Sequence, residues 1–447
     1  MGAYSYLTFG ALKAELLSRL QDPTAQNVSE AEAGVYIVEG LRVLNATTLI
    51  WNVDYEFAFN SGDTWKSLNV PGSPRERTVT DSDLYSQMEA MLMEPVSGSV
   101  WTGTDQFNID MLSAALQYRR DELLLQSAAN TVNLLQPSPL LSTRTLLPDS
   151  TLDLFRVRWI QADSSLSPYA LGREDVTTAD AFGPKLGATP GEPDSWLITN
   201  TAPLAFDVTC PPNQNGTWDM LLSFAGVQFA PPSSAVVGLP NDWTWVALYG
   251  ALADVLANSP EGRDTTRARY CLQRYEQGRK AMLALPWLID ATVASISVDM
   301  PSYKEMDANQ QNWEEVQPED DPMIVVGGVD LVALAPFVVD SGATVSSVLT
   351  VIGNAPIPVL DSDLVQLSRD GVDALLNYSQ HVASFKLGGK DFLLTMPLYE
   401  QFEGYCRQKN EQYAALGIFR PQLVTEGNRR DELDPRFEGG RDGAKAR

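Results

Sequence analysis

"NDWTWVALYGALADVLANSPEGRDTTRARYCLQRYEQGRKAM", residues 241–282, is the most organised stretch of the sequence and reads as two helices folded back on each other. The first aligns Trp245, Leu248, Tyr249, Leu252, Val255 and Leu256 at the three- and four-residue steps of one helix face. "NSPEG" turns the chain, with Ser259 expected as cap and Pro260 at the first helical position, where a missing N–H costs little. The second helix aligns Ala268, Cys271, Tyr275, Gly278 and Met282 at intervals of 3, 4, 3 and 4, a narrow packing seam. Small residues on that seam predict close approach of the two backbones. Trp245, Tyr249, Leu252, Cys271, Tyr275 and Gly278 are therefore expected to be buried between the helices.

Upstream, "TFGALKAELLSRL" (8–20) carries Leu12, Leu16 and Leu20 on one stripe, with Thr8 as N-cap. Ser29 and Glu32 have the spacing of a capping box opening a second helix, with Ile37, Leu41 and Leu44 inward. Two further helices are predicted, over 81–93 after Asp81 and over 109–129 after Asn108; "WNVDYEFAF" (51–59) alternates like a strand. From about 150 to 235 the period changes to two in "LDLFRVRWI", "SWLIT", "LAFDVT" and "TWDMLLSFA", the mark of an antiparallel β module. After the hairpin, 297–322 is acidic and proline-punctuated, and 323–360 is β-rich. A second helical pair follows over 362–385 and 396–415, and 426–447 is nearly all charge, glycine and proline. The expected protein is α+β. It divides into a helical bundle (1–150), an antiparallel β module (151–240), the hairpin packed with the bundle (241–290), an acidic linker (291–322), a C-terminal β-plus-helical-pair extension (323–425) and an extended charged tail (426–447).

The chemistry of the chain excludes more than it offers. Its 447 residues hold 32 Lys and Arg against 57 Asp and Glu, a net charge of −25 that leaves few places for phosphate. Three well-separated cysteines and no apolar run of membrane length point to a reduced protein with no membrane partner, and no signal peptide is expected at the N-terminus. The single histidine, His381, sits mid-helix and reads as a surface or packed residue; Cys271 reads as a small core residue. "KLGGKD" (386–391) lacks the first glycine and the Ser or Thr of a phosphate loop, and reads as a turn between helices. "DSD" (361–363) lacks the remaining ligands of a calcium loop and reads as an N-cap cluster. No catalytic residue, cofactor site or metal site is expected. Arg267, Arg269, Arg274, Arg279 and Lys280, the densest cations, could form a belt towards an acidic partner.

Three stretches taken in order resemble head-to-tail adaptor (connector, neck) proteins of tailed bacteriophages, including the tail tubular A proteins of short-tailed phages. These are "LTFGALKAELLSRLQDP…SEAEAGVYIVEGLRVLN", "APLAFDVTCPPNQNGTWDMLLSFAG" and "LPNDWTWVALYGALADVLANSPEGRDTTRARYCLQRYEQG". The likeness covers roughly residues 5–290; the C-terminal part exceeds the usual small adaptor. It implies a virion protein made in the host cytoplasm, assembled as a ring, commonly twelvefold, between the portal protein and the tail or nozzle proteins, through which DNA passes without specific binding. On this view the tail would order against a neighbouring subunit or the portal, with Arg429, Arg430, Arg436 and Phe437 as contacts. Two alternatives stay open: another virion structural protein (minor tail, stopper or capsid-associated), or a soluble enzyme whose metal is held by scattered acids.

Overall fold

The computed structural model describes residues 5–60, 65–67, 69–92, 107–138, 141–161, 169–174, 190–201, 204–230, 234–258, 263–284, 324–327, 331–334, 344–388 and 392–415. The fold is α+β. A short strand, β1 (Leu7–Thr8), leads into α1 (Phe9–Arg19), where the Thr8 hydroxyl accepts the Ala11 N–H at 3.2 Å. α2 (Glu30–Thr48) opens with the reciprocal Ser29–Glu32 capping box, which satisfies two of the backbone donors a helix start leaves free. Strands β2 (Asn52–Asn60) and β3 (Trp65–Ser67) follow, then α3 (Asp81–Leu92) and α4 (Ile109–Ser127). Asn108 caps α4 as expected. At α3 the capping exchange falls one residue earlier than expected: Thr80 and Asp83 bond each other's backbone N–H groups. Asp81 is instead buried, accepting the Ala235 N–H at 2.8 Å.

The β module is built from β4 (Thr131–Pro137), β5 (Arg144–Leu146), β6 (Thr151–Gln161), β7 (Tyr169–Ala170), β8 (Gly172–Arg173), β9 (Ser195–Thr201), β10 (Leu204–Val208) and β11 (Gly216–Phe224). They form two four-stranded sheets, in the orders β4-β11-β6-β7 and β5-β10-β9-β8. All pairings are antiparallel except β8 with β9. The module reaches back to Thr131, into the region read from sequence as helical bundle. β4 hides its nature because Leu134 and Leu135 are adjacent and break the alternation: Leu134 faces the core and Leu135 is 60% exposed. The inward faces of both sheets share one core, in which Phe206 meets Trp218 edge-on at 5.8 Å and Trp196 at 6.4 Å. Large rings bury much area at low entropic cost, which suits a module this small.

The hairpin follows as α5 (Thr244–Asn258) and α6 (Thr265–Ala284). The C-terminal part contributes β12 (Ile324–Gly327), β13 (Leu331–Leu334), β14 (Thr344–Ile352), β15 (Leu364–Val365), α7 (Arg369–Ser384) and α8 (Met396–Ala415). The described residues of 323–425, expected as an extension, return to the N-terminal elements. β14 pairs with the whole of β2 from Asn52↔Ile352 to Asn60↔Thr344, β13 pairs with β3, and β15 pairs with β1. Buried side chains of α7 and α8 lie in the same core cluster as those of α1, α2, α5 and α6. α7 starts later than the sequence suggested, at Arg369 under a Ser368 cap. The Asp361–Asp363 turn does not cap α7; its main-chain carbonyls accept the Phe9 and Gly10 N–H groups and so cap α1. Among the described residues no helix is long and apolar enough to cross a membrane.

The sandwich core gives a direct test. Replacing Trp218 by Ala should destabilise the module by about 3–5 kcal/mol, measured by denaturant unfolding followed through near-ultraviolet circular dichroism. An unchanged midpoint would show that the two sheets do not share this core.

Candidate functional site

Both expected hairpin faces are sealed: Trp245, Tyr249, Leu252, Cys271, Tyr275 and Gly278 are all buried. Gly278 is required by geometry, since a Cβ there would lie 2.5 Å from Val246 Cγ2 and 2.8 Å from the Trp245 ring. Gly250 plays the matching part on α5, where a Cβ would meet Tyr275 Cδ2 at 2.7 Å. Ser259 and Pro260 lie outside the described residues. α6 starts at Thr265, with the Asp264 carboxylate accepting the Thr266 and Arg267 N–H groups at 3.0 Å each. On the outer side, Arg119 of α4 grips Asp254 of α5 through two hydrogen bonds of 2.7 and 2.6 Å.

The centre of the bundle is polar. Arg274 of α6 does not join a surface belt of cations; it is 3% exposed, deep in the core. Its guanidinium carbon lies 4.7 Å from the Trp245 ring centroid, 5.3 Å from Tyr249, 5.6 Å from Tyr378 and 4.6 Å from Tyr399, a cage of four aromatic rings. It donates to the hydroxyls of Tyr399 and, at 3.0 Å, Tyr378. The Tyr378 hydroxyl in turn donates a 2.8 Å hydrogen bond to Glu39 Oε1 of α2, and the Tyr249 hydroxyl donates to the same oxygen at 2.9 Å. Burial raises the Glu39 carboxyl above its ordinary range, against the pull of the two phenols and of Arg274. Burial likewise opposes the charge on Arg274, but the surrounding phenols outweigh it and hold the guanidinium well above its usual value. One buried cation and one buried carboxylate thus share a phenol bridge, and five helices contribute: α2, α5, α6, α7 and α8.

The other cations of that stretch are mostly engaged locally: Arg267 pairs with Asp264 at 2.7 Å, and Arg279 with Glu276 at 2.7 Å. Arg269 and Lys280 are exposed.

Two smaller polar knots flank the web. His381 of α7 is fully buried, its Nδ1 2.8 Å from Thr395 Oγ1 and its Nε2 2.8 Å from the Tyr270 hydroxyl. Burial, helped by the nearby Arg274 charge, pushes the imidazole down to about 3. Asp242, in the turn before α5, accepts from Asn45 Nδ2 at 2.6 Å and from the Ala355 N–H at 3.1 Å, tying α2 to the segment after β14. Burial raises its carboxyl to about 6. Cys271 and Cys406 are buried free thiols whose pKa values burial raises.

A carboxylate, an imidazole, thiols and phenols therefore sit within one region, and all are buried. Their physical effect is to fix which helix faces which. Among the described residues no group of three or more His, Cys, Asp and Glu could hold a metal ion. The tail residues Arg429, Arg430, Arg436 and Phe437 lie outside the described residues, as does the acidic linker. Glu39, Tyr378 and Tyr399 were not singled out from sequence; the one local signal was a charged Glu39 on the helix face shared with buried neighbours. No family model matches the chain, and no curated protein matches it.

Two measurements check the web. Arg274→Met strips the countercharge from a buried carboxylate and should cost about 3–5 kcal/mol in denaturant unfolding. Adding Glu39→Gln should return a substantial part of that loss; strictly additive losses would show that the two groups do not communicate. Because His381 is the only histidine, the folded protein should give one imidazole Hε1 resonance, which holds its position from pH 8 down to about pH 4. The unfolded imidazole titrates near 6.5. The native state binds its proton less readily, so this contribution to stability is complete above pH 6.5 and is lost as pH falls towards 3. A native resonance with a midpoint near 6.5 would contradict the burial.

Proposed function

We propose that this chain is a virion structural protein, a head-to-tail adaptor whose subunits form a ring between portal and tail through which DNA passes. The observation that carries the reading is the hairpin. Its two helices are locked by Gly250, Gly278 and the Arg274 cage into the centre of a bundle, directly after a two-sheet module. That is the order of elements in which the sequence resembles phage adaptor proteins. Two further features support it. The polar groups of the core are used on one another rather than presented in a cleft, as suits a protein whose work is done by surfaces. A charge of −25 per subunit, repeated around a ring, gives a passage that DNA slides through rather than sticks to.

The test is imaging. Purified protein mixed with portal rings should appear in negative stain as an added ring of matching symmetry beneath the portal. Protein that stays monomeric with portal present, and binds capsid or tail tube instead, would overturn the assignment.

A further inference from the structure

α4 and α6 lie side by side on the outside of the bundle. The Tyr275 hydroxyl donates to Glu122 at 2.7 Å, and the Arg279 guanidinium donates to Gln126 at 3.0 Å. Both contacts join residues 153 positions apart, so the two helices run parallel and in step. Towards the core they bury Leu112, Leu116 and Leu123 of α4 and Cys271 and Met282 of α6. Towards solvent they show large apolar side chains instead: Tyr118 and Leu125 are each 62% exposed, Leu272 44% and Leu283 38%. Each stands three or four residues from a seam residue: Tyr118 and Leu125 from Glu122, Leu272 from Tyr275, Leu283 from Arg279. Residues at that spacing are neighbours on a helix surface, so the four border the α4–α6 seam as one apolar strip.

The charges beside the strip are segregated. Those along the seam cancel within the chain, Arg119 with Asp254 and Glu122, and Arg279 with Glu276. On the α4 side stand Asp110, exposed two turns before Tyr118, and Asp121, whose carboxylate is 38% exposed although it pairs with Arg120. On the α6 side stand Arg269 and Lys280, both exposed and neither in an ion pair among the described residues. One edge of the face is therefore acidic and the other basic.

Such a face is complementary to its own image. A half-turn about an axis parallel to the helices sets α4 of each copy over α6 of the other. Acidic edge then meets basic edge twice. The half-turn keeps levels along the helices, so Tyr118 of one copy lies over Leu272 of the other, one residue from the register of the seam. With −25 on each chain, copies repel at long range, and a contact that holds them must be matched locally in charge. With the 19 residues of α4 setting its length, the two-helix face spans about 28 by 20 Å, near the lower limit for a specific contact once both copies are counted.

We propose that the outer face of α4 and α6 is a self-association surface on which a second copy of this chain docks about a two-fold axis. The inference goes beyond the adaptor reading: it concerns the free protein, needs no portal, and its failure leaves that reading as it stands.

The experiment is sedimentation velocity of the full-length protein at about 150 mM salt, over a loading series from about 1 to 100 μM, where a contact of this size associates. It should show a monomer–dimer equilibrium. Leu272→Asp, at an exposed position, should raise the dissociation constant by about tenfold or more. Two charge variants carry the sharper test. Arg269→Glu with Lys280→Glu makes both edges acidic, and Asp110→Lys with Asp121→Asn leaves neither edge acidic. Each should self-associate about tenfold or more weakly than wild type. An equimolar mixture of the two should pair to within about threefold of wild type, because each offers the edge the other lacks. Recovered pairing also shows that both variants are folded. Wild type that stays monomeric to about 100 μM, association unmoved by Leu272→Asp, or a mixture no tighter than its separate components overturns the proposal.

Discussion

Everything in the helical part of this protein leans on a charge placed where water cannot reach it. Arg274 sits in a cage of four aromatic rings and reaches Glu39 only through the hydroxyl of Tyr378. A buried guanidinium or carboxylate alone would carry a desolvation cost of several kcal/mol, on the order of half a small domain's stability. The pair is tolerated only when every partner is in place at once. The tyrosines come from α5, α7 and α8, so those helices must be docked correctly before either charge is compensated. Such an arrangement adds little net stability but strongly disfavours alternative packings of apolar helices. α5 needs that help, since it is buried nearly all round and could otherwise slide.

The same constraint draws two distant parts of the sequence into one core. Tyr378 meets Glu39 across 339 residues of sequence, and the β2–β14 ladder brings the same two parts together at the sheet. Asp242, Asn45 and the Ala355 N–H add a third link at the entrance of the hairpin. The two-sheet module keeps its own aromatic core and hangs from the bundle between α4 and α5.

Local signals are legible in the sequence, and distant ones are not. Thr8, Ser29 and Asn108 are caps because a side-chain oxygen reaches a backbone N–H two or three residues on, which spacing alone reveals. The close approach at Gly278 followed from the three-four spacing of the seam in the same way. β4 escaped because adjacent leucines erase a period of two at an edge strand. The burial of Arg274 is not legible in the sequence, since nothing within a helical turn of it announces four rings, all of which arrive from α5, α7 and α8. For the same reason the two C-terminal helices read as an extension: amphipathic periodicity tells that a face is buried but not against what.

The account rests on the helices of the two chain halves forming a single cooperative unit around Glu39 and Arg274. Native-state hydrogen exchange of the free protein tests this most directly. Backbone amides in the middle of α2, α5, α6 and α7 should exchange together, with the highest protection in the chain and a common opening free energy. Amides of α7 that exchange freely while α2 and α5 remain protected would contradict it.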